Sequence, residues 1–380
     1  MSVQFSLSKV ALALSLLVSI PSFADYLSQD TNTNTTTPKV TTSKSDQPQI
    51  RGLASARPEV KDGVDLFLTG DLLIWKTQID GLSYASEYTI EANNDQTSLQ
   101  LLNGKTNNPH FNYQYGFKAA LGCNLSHDGW DAILSWTWFR DESKSHAQAK
   151  DNYALFPSLL MSAFNVGSFL TTASEADFKW DLHFDMLDLE MGREFYAGKW
   201  LALRPFFGLR SAWIDQNNKA MYYGISILTE PPSTFTYADT KMINDFWGFG
   251  PRIGLNGEWQ FGSGWSLYGN AGLSLLYGYF HIHEKTISVD STAVTSELFN
   301  TGNSFHSIKP AIDLEVGLQW DYMFFHDSFH LGLHAGWQQQ LFFSQNQIMH
   351  YSNLFQPSQF FQNQGDLGFQ GWSIGARFDF

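Results

Sequence analysis

Charged side chains occupy every second position along several segments of this chain, and their spacing indicates an electrostatic role. Across residues 308–322, apolar side chains alternate without a break with polar and charged ones. Extended over the chain, this alternation predicts one polar face that carries Lys118, Asp131, Asp181, Asp185, Arg204, Arg210, Arg252, Glu258, Lys309, Asp313, Glu315, Asp321, Arg377 and Asp379. If that face encloses water, its charges set ion preference. Alternatively, the three arginines pair with carboxylates and hold the wall or plug its interior.

Histidines beside carboxylates are the second chemical possibility. His183 and Asp185 are predicted on the polar face, as are His330 and His334, while His281 and His283 flank Ile282. No G-x-S-x-G elbow, H-E-x-x-H helix or Ser-His-Asp order accompanies them. We therefore expect no enzyme, no metal site and no cofactor.

The chain has one cysteine, Cys123. A single cysteine allows no intrachain disulfide and no cysteine-rich metal site. Its place in the alternation predicts that it lies on the apolar side of its strand.

The alternation predicts β-strands, because successive side chains of a strand point to opposite faces. Ten approximate strand cores result: 64–76, 111–124, 130–140, 178–191, 200–214, 246–259, 265–280, 308–324, 329–341 and 370–380. Most run past ten residues, the length that a tilted strand needs to cross about 30 Å of hydrocarbon. No run approaches the roughly 20 apolar residues of a membrane-spanning helix.

Short and long links between these cores alternate strictly. The short ones are 125–129, 193–199, 260–264 and 325–328, and the long ones are 77–110, 141–177, 215–245, 281–307 and 342–369. An outer-membrane barrel with short periplasmic turns and long external loops has this arrangement. We predict an all-β, transmembrane, antiparallel up-and-down barrel of about ten strands, with a range up to sixteen because a long link can hide a hairpin.

Aromatic residues make up 16% of the chain and support a membrane location. Tryptophans near the strand ends are predicted to form two girdles one membrane thickness apart, and they include Trp130, Trp200, Trp213, Trp247, Trp259, Trp265 and Trp320. The last strand alternates up to Phe378 and Phe380, which we expect to act as the assembly signal.

The N-terminal part divides into two segments before the barrel. Residues 1–24 have a short apolar run after Lys9 and end in Ser-Phe-Ala, which predicts a cleaved signal peptide. Residues 25–60 are rich in Thr, Ser, Asn and Pro, which predicts a disordered periplasmic segment. The barrel is expected over 61–380, in the bacterial outer membrane.

Three stretches carry a family resemblance: F-L-T-G-D-L-L-I-W-K at 67–76, L-A-L-R-P-F-F-G-L-R-S-A-W-I-D-Q at 201–216 and W-G-F-G-P-R-I-G-L at 247–255. They resemble the Legionella-type major outer membrane proteins, a pore-forming family also found in Chlamydia-related bacteria. The resemblance implies a porin for passive diffusion of small solutes and ions. The cysteine-linked lattice of the chlamydial proteins is not implied, because this chain has one cysteine.

The partners that we expect follow from this location. They are outer-membrane lipid and lipopolysaccharide, the barrel-assembly machinery during insertion, and small solutes and ions; self-association into a homo-oligomer stays open. The net charge of −14 argues against nucleic-acid binding. Inward acids outnumber inward bases in the predicted register, which favours weak cation preference.

Two other functions stay open at this point. One is an adhesin or structural barrel that acts through loops such as 93–108 and 342–365, and the other is a barrel hydrolase. The apolar stretch 154–166 is expected either to constrict the mouth, to lie on the membrane or to form an external loop.

Overall fold

The computed structural model describes residues 64–92, 99–125, 129–150, 153–160, 171–227, 233–324, 329–351 and 360–380. The predicted signal peptide (1–24) and the N-terminal segment (25–60) lie outside these residues. Within the described part of the chain, no helix has the length and apolar character needed to cross a membrane.

Ten long strands form the wall of the molecule. They are β1 (Val64–Ile79), β2 (Tyr113–Leu125), β3 (Trp130–Gln148), β4 (Glu175–Arg193), β5 (Leu201–Ile227), β6 (Ser233–Gly262), β7 (Trp265–Asp290), β8 (Thr295–Phe324), β9 (Phe329–Asn346) and β10 (Gly365–Asp379). Each pairs antiparallel with the next, and β10 pairs with β1 from Phe67 opposite Asp379 to Ile79 opposite Leu367. The predicted ten-stranded up-and-down barrel is therefore confirmed.

The outer face of the wall is apolar along the middle of each strand. Leu68 and Leu72 of β1 are about half exposed, whereas the inward Leu73 and Trp75 are buried. Cys123 stands opposite Leu66 and Ala132. Residues directly opposite each other in a sheet share a face, so Cys123 lies on the outer face, as predicted.

The end of the barrel that carries the short links is here called the turn end, and the link between β6 and β7 at this end is a tight turn. Between β6 and β7, Ser263 and Gly264 both have positive φ, +57° and +78°. Two such residues are what a two-residue hairpin turn with the twist of its strands requires. A Cβ on Gly264 would lie 2.3 Å from the carbonyl oxygen of Asp321, so glycine also allows this close approach.

At the opposite end, here called the loop end, two of the five predicted long links are largely strand. β5 and β6 stay paired to Ile227 opposite Ser233, and β7 and β8 stay paired to Val289 opposite Thr295. The links were predicted as loops because their sequence is polar, but polar residues pair in a ladder equally well outside hydrocarbon.

A carboxylate shapes the turn between β7 and β8. Asp290 accepts hydrogen bonds from the Thr292 and Val294 amides at 2.8 and 2.9 Å, and from the Thr292 hydroxyl at 2.7 Å. The side chain of the first residue of the turn therefore stabilises the turn.

The link between β1 and β2 does contain a hairpin, although this hairpin is not part of the barrel. Ala85–Ala92 pairs with Leu99–Asn107 and with Tyr153–Pro157 in a three-stranded sheet. The remaining short strands are Thr171–Thr172 and Phe195–Tyr196, both paired with β5, and Met349–Tyr351 with Phe360–Gln362.

Part of the predicted apolar stretch 154–166 packs into the loop end of the barrel. Leu155, Leu159 and Leu160 are buried in the same apolar cluster as Trp75 and Phe369. Of the three arrangements expected for this stretch, 154–160 therefore follows the first, whereas 161–166 lie outside the described residues.

Tyr222 links this stretch to the wall. The Tyr222 hydroxyl donates to the Tyr84 carbonyl at 2.5 Å and accepts from the Leu159 amide at 3.3 Å. Tyr222 belongs to β5, so the barrel itself anchors both segments that fill its mouth.

Candidate functional site

The interior of the barrel holds a network of buried charges. We call it the ion network, and its members are Asp131, Asp188, Glu190, Arg204, Arg210, Arg252 and Asp313. They come from β3, β4, β5, β6 and β8, so strands that are not neighbours in the wall meet inside it. Buried charges need such pairing because their desolvation is costly.

Arg210 is the centre of the network. Its side chain is 1% exposed. Nε and one terminal nitrogen each donate to a separate oxygen of Asp188 at 2.7 Å. The other terminal nitrogen donates to both oxygens of Asp313 at 2.9 Å. Asp188 is on the neighbouring strand β4 but Asp313 is on β8, so this guanidinium bridges the lumen.

Arg252 extends the network beside Arg210. It donates to Glu190 at 2.9 Å and to Asp313, which it therefore shares with Arg210. Its guanidinium carbon lies 5.3 Å from the centre of the Phe206 ring, within the range of a cation–π contact.

Arg204 occupies the turn-end side of the same network. It donates to Asp131 at 2.5 and 2.9 Å and to the Asn256 side chain at 2.7 Å. From Asn256 the hydrogen bonds continue to Asn270 at 2.8 Å and from Asn270 to Glu315 at 3.2 Å. One connected polar chain thus runs from β3 to β8.

A cavity of about 280 Å³ lies against the ion network. Lys118, Asp71, His334, Tyr268 and Glu315 line it. His334 Nε2 is 2.7 Å from Asp71 Oδ1, and the Tyr268 hydroxyl donates to Glu315 at 2.9 Å. The cavity is therefore polar and contains both signs of charge.

A smaller cluster lies at the turn end. His330 bonds through Nε2 to Asp321 at 2.9 Å and through Nδ1 to Asp379 at 2.7 Å. Arg377 donates to the same Asp379 at 2.6 Å, and its guanidinium carbon lies 3.8 Å from the centre of the Phe67 ring. These contacts join β8, β9 and β10 to β1 on the inside of the wall.

Toward the loop end, aromatic rings replace the charges. We call this cluster the aromatic plug, and it consists of Trp75, Phe139, Phe184, Phe342 and Phe369, all buried. The centre of the Phe184 ring lies 4.8 Å from that of Phe369 and 5.5 Å from that of Phe342. Phe184 is on β4, whereas its two partners are on β9 and β10 across the lumen. The rings therefore meet across the bore.

Most of the residues predicted to face the interior do so. Lys118, Arg204, Arg210, Arg252, Glu258, Asp313, Glu315 and Arg377 line the cavity. Asp131 bonds to Arg204, Asp321 and Asp379 bond to His330, and Lys309 lies 5.2 Å from the ring centre of the buried Phe280. The three arginines pair with carboxylates inside the barrel, as the second of the two predicted alternatives states.

The predicted inward positions of Asp181 and Asp185 are wrong, as is that of His183. Asp185 stands opposite Trp138 and Trp213 and accepts from Arg140 at 2.7 Å on the outer face. Over residues 178–186 of β4 the inward residues are Phe178, Trp180, Leu182, Phe184 and Met186, so the apolar side of this part of the strand is the inner one. The rule that apolar residues face lipid fails here because apolar side chains, including those of the aromatic plug, occupy the interior at this level of the barrel. Farther toward the turn end, Asp188 and Glu190 face inward.

The predicted girdle tryptophans lie on the outer face. Trp200, Trp247, Trp259 and Trp265 are each about half exposed. Trp213 stands opposite Trp247, and Trp265 opposite Trp320. The Trp130 ring contacts that of Phe207, which is also exposed. Phe378 and Phe380 are exposed at the turn end, where their rings stack with centres 6.0 Å apart.

Several residues that face the interior were not predicted from the sequence. Asp188 and Glu190 lie on the same strand as Asp181 but on its other face. Both would have been predicted to face the interior if that face had been taken as the inner one. Asp71 alternates with exposed leucines on β1, so the alternation of polar and apolar residues could have predicted its inward position as well. Tyr268 and the aromatic plug carried no such signal, because an inward ring and a lipid-facing ring look alike in sequence.

Three solved structures are among those similar to this chain. The outer membrane protease OmpT of Escherichia coli has 12% identity and a TM-score of 0.40, with 83% of this chain and 97% of that chain covered. A major outer membrane protein of Thermus thermophilus has 10% identity and a TM-score of 0.28, with 84% and 100% covered. Ail, the attachment invasion locus protein of Yersinia pestis, has 11% identity and a TM-score of 0.22, with 84% and 99% covered.

Sequence comparisons give two further findings. No curated protein sequence matches the chain. One family model matches residues 57–380; its description is Legionella pneumophila major outer membrane protein precursor. The matched range includes all ten barrel strands.

Proposed function

The chain belongs to the family of the Legionella pneumophila major outer membrane protein and hence to the outer membrane, and from this premise we propose that it forms a narrow, weakly cation-preferring pore for ions and small solutes. Its short turns face the periplasm and its long links face outward. The observation that carries the proposal is the charged cavity beside the ion network, since a barrel that only anchors loops needs no such chamber.

The balance of charge around the cavity supports a preference for cations. Seven carboxylates line it: Asp71, Asp188, Glu190, Glu194, Glu258, Asp313 and Glu315. Five Lys and Arg side chains line it: Lys118, Arg204, Arg210, Arg252 and Arg377. The excess of two carboxylates persists although Asp181 and Asp185 face outward. A net excess of one sign of charge along a pore favours the passage of the opposite ion.

The aromatic plug limits what passes. Barrels of about eight strands are filled by side chains, whereas sixteen to eighteen strands leave an aqueous channel. Ten strands lie near the filled limit, and here the rings of Phe184, Phe342 and Phe369 meet across the bore. We therefore propose low conductance that depends on displacement of these rings, in place of wide general diffusion.

Planar-bilayer recordings of the purified barrel test this proposal. The wild type is expected to give small or infrequent conductance steps. The double variant Phe184→Ala/Phe369→Ala removes rings from the plug and is expected to enlarge the steps several-fold. The matched control is Phe117→Ala, which removes an exposed phenylalanine from the outer face and is expected to leave the steps unchanged.

Asymmetric potassium chloride tests the ion preference in the same recordings. We expect a reversal potential of the sign that K⁺ permeation gives, and a smaller one for Glu258→Gln, which removes a carboxylate from the cavity wall. Anion preference would contradict the charge argument alone. Silence of the wild type and of the plug variant would contradict the pore and favour a barrel that acts through its external strands.

The same proposal gives the histidines structural roles and no catalytic one. His330 bonds to carboxylates of the neighbouring strands β8 and β10, and His334 bonds to Asp71 on β1, the next strand but one, inside the wall. His183 stands on the outer face opposite Asp215, away from the cavity. We further propose that lipopolysaccharide surrounds the wall and that the assembly machinery reads the terminal strand with Phe378 and Phe380.

A further inference from the structure

Five lysines stand directly opposite one another across five adjacent strands. This set, here called the lysine row, consists of Lys144, Lys179, Lys219, Lys241 and Lys285 on β3, β4, β5, β6 and β7. Every neighbouring pair is in direct register, so no other residue type interrupts the row. It contains five of the 23 lysines and arginines in a chain with a net charge of −14.

The row lies on the outer face, beyond the aromatic residues of the loop-end girdle. Along β3, β5 and β6, each lysine is six positions farther toward the loop end than Trp138, Trp213 and Trp247. Neighbouring strands are about 4.8 Å apart, so the row extends about 19 Å over four intervals. Lys144 is the most exposed of the lysines that form an ion pair, with 73% of its side chain accessible.

The direct opposition of these lysines is itself unfavourable for folding. Like charges that stand directly opposite each other in a sheet are destabilising, and the row repeats that opposition four times. The signs do not alternate across these strands, although carboxylates such as Glu142 and Asp181 lie two positions from a lysine along two of them. We infer that a role outside the fold offsets the cost of the opposed lysines.

Four of the five lysines form solvent-exposed ion pairs with nearby carboxylates. Lys144 contacts Glu142 at 2.5 Å, Lys179 contacts Asp181 at 3.0 Å, Lys219 contacts Asp239 at 3.0 Å and Lys285 contacts Glu297 at 2.6 Å. Exposed ion pairs of this kind contribute little to stability, so a ligand can replace them. Lys241 forms no ion pair with a carboxylate among the residues that the structure describes.

The direction of the row decides between two kinds of anionic partner. Strands of membrane barrels tilt by about 35–45°, and a row perpendicular to the strands is inclined to the membrane plane by the same angle. Over about 19 Å this incline amounts to a rise of about 11–13 Å, which exceeds the roughly 5–8 Å depth of one headgroup layer, so a single layer of lipid headgroups does not match the whole row. A linear chain of anionic groups can follow the incline from Lys144 to Lys285.

We propose that the lysine row binds a linear polyanion, a sulfated or phosphorylated polysaccharide chain, on the external wall of the barrel. The ammonium groups pair with successive sulfates or phosphates of the chain, and Lys241 forms the first contact because it has no carboxylate to leave. This site is separate from the lumen and does not depend on conductance.

Binding of dextran sulfate to the full barrel in lipid nanodiscs tests the proposal, with neutral dextran as the reference ligand. The row variant is Lys219→Gln/Lys241→Gln. The matched control, Lys105→Gln/Lys150→Gln, removes two exposed lysines at the same end of the molecule but outside the row. Lys219→Arg/Lys241→Arg keeps the charge. Heat-dependent gel migration verifies that each variant is folded.

We expect the wild type to bind dextran sulfate, and the affinity to fall at least tenfold from about 50 to about 500 mM salt because screening shortens the range of the charges. The row variant should bind at least tenfold more weakly, while the control and the arginine variant stay within twofold of the wild type. Equal losses in the row variant and the control, no binding by the wild type, or binding that occurs only to lipopolysaccharide vesicles would overturn the proposal.

Discussion

Arg210 on β5 donates to both carboxylate oxygens of Asp313 on β8, at 2.9 Å each, across the inside of the barrel. Two strands separate β5 from β8 in the wall, so the contact is not part of any ladder. It fixes the distance between two distant parts of the wall. Ion pairs therefore connect distant strands near the middle of the interior, and the aromatic plug connects distant strands toward the loop end.

We predict that Arg210→Met lowers the free energy of unfolding by about 3 kcal/mol. Removal of one partner of a buried ion pair costs about 3–5 kcal/mol because the other charge stays buried, and Arg252 still holds Asp313. Urea unfolding of the barrel in micelles measures the change. The double variant Asp188→Asn/Arg210→Met removes both members of one pair, leaves Asp313 bonded to Arg252, and should lie closer to the wild type. A loss below about 1 kcal/mol in Arg210→Met would show that these ion pairs are unimportant.

The outward face of β4 can be tested by labelling. In a Cys123→Ser background, Asp181→Cys should react on intact cells with a membrane-impermeant maleimide, because the side chain lies on the external wall. Met186→Cys should not react, since Met186 is buried inside the barrel. Mass spectrometry of the labelled protein reads the outcome. The reverse pattern would restore the inward placement of Asp181.

Lys241→Gln should leave the barrel as stable as the wild type or more stable, by up to about 1 kcal/mol. The substitution removes two direct like-charge oppositions, to Lys219 and Lys285, each unfavourable by a fraction of a kcal/mol. In about 1 M salt, where the screening length is about 3 Å, the difference should disappear. Unfolding in urea at low and high salt provides the comparison. A clear loss of stability at low salt would mean that Lys241 has a partner that stabilises the fold.

The turn between β7 and β8 has a predicted pH dependence. Hydrogen bonds from Thr292 and Val294 lower the pKa of the Asp290 carboxyl below its ordinary 3.8. A lowered pKa means that the turn is stabilised above pH 3.8 and loses this contribution as the pH falls through the folded-state pKa. A carbon-detected NMR titration of Asp290 should give a midpoint below 3.8, and Thr292→Val should raise it. Identical midpoints in both proteins would contradict the role of the threonine.

Alternation in the sequence predicted the strands and most of the faces because hydrocarbon outside and water inside impose opposite demands on neighbouring residues. Residues 308–322 obey both demands, and Lys309, Asp313 and Glu315 were placed correctly. The same physics governs the closing strand, where Arg377 faces inward and Phe378 faces outward.

The choice of face failed where those demands do not hold. On β4, Phe178, Trp180 and Phe184 face an apolar interior, while Asp181 and Asp185 lie near or beyond the edge of the hydrocarbon. Alternation is equally clear on such a strand, but it does not reveal which side is inside. Only packing against other strands decides that.

Contacts across the lumen could not be predicted from local sequence either. Arg210 and Asp313 are 103 positions apart, and neither strand pairs with the other. Their meeting depends on strand number and on the diameter that follows from it. The lysine row is a similar case, because each lysine is ordinary in its own strand and only the register of five strands aligns them.

The pairing of β1 with β10 has a consequence for how the molecule is made. Every other pair of neighbouring barrel strands is consecutive along the chain, whereas this pair joins the first strand to the last. A chain interrupted before Gly365 would leave β1 and β9 with unpaired edges, which are templates for aggregation. Loop-closure entropy makes such a distant junction slow to form. We therefore expect assembly of this protein to be limited by a single late zippering event, and truncated chains to be degraded before they insert.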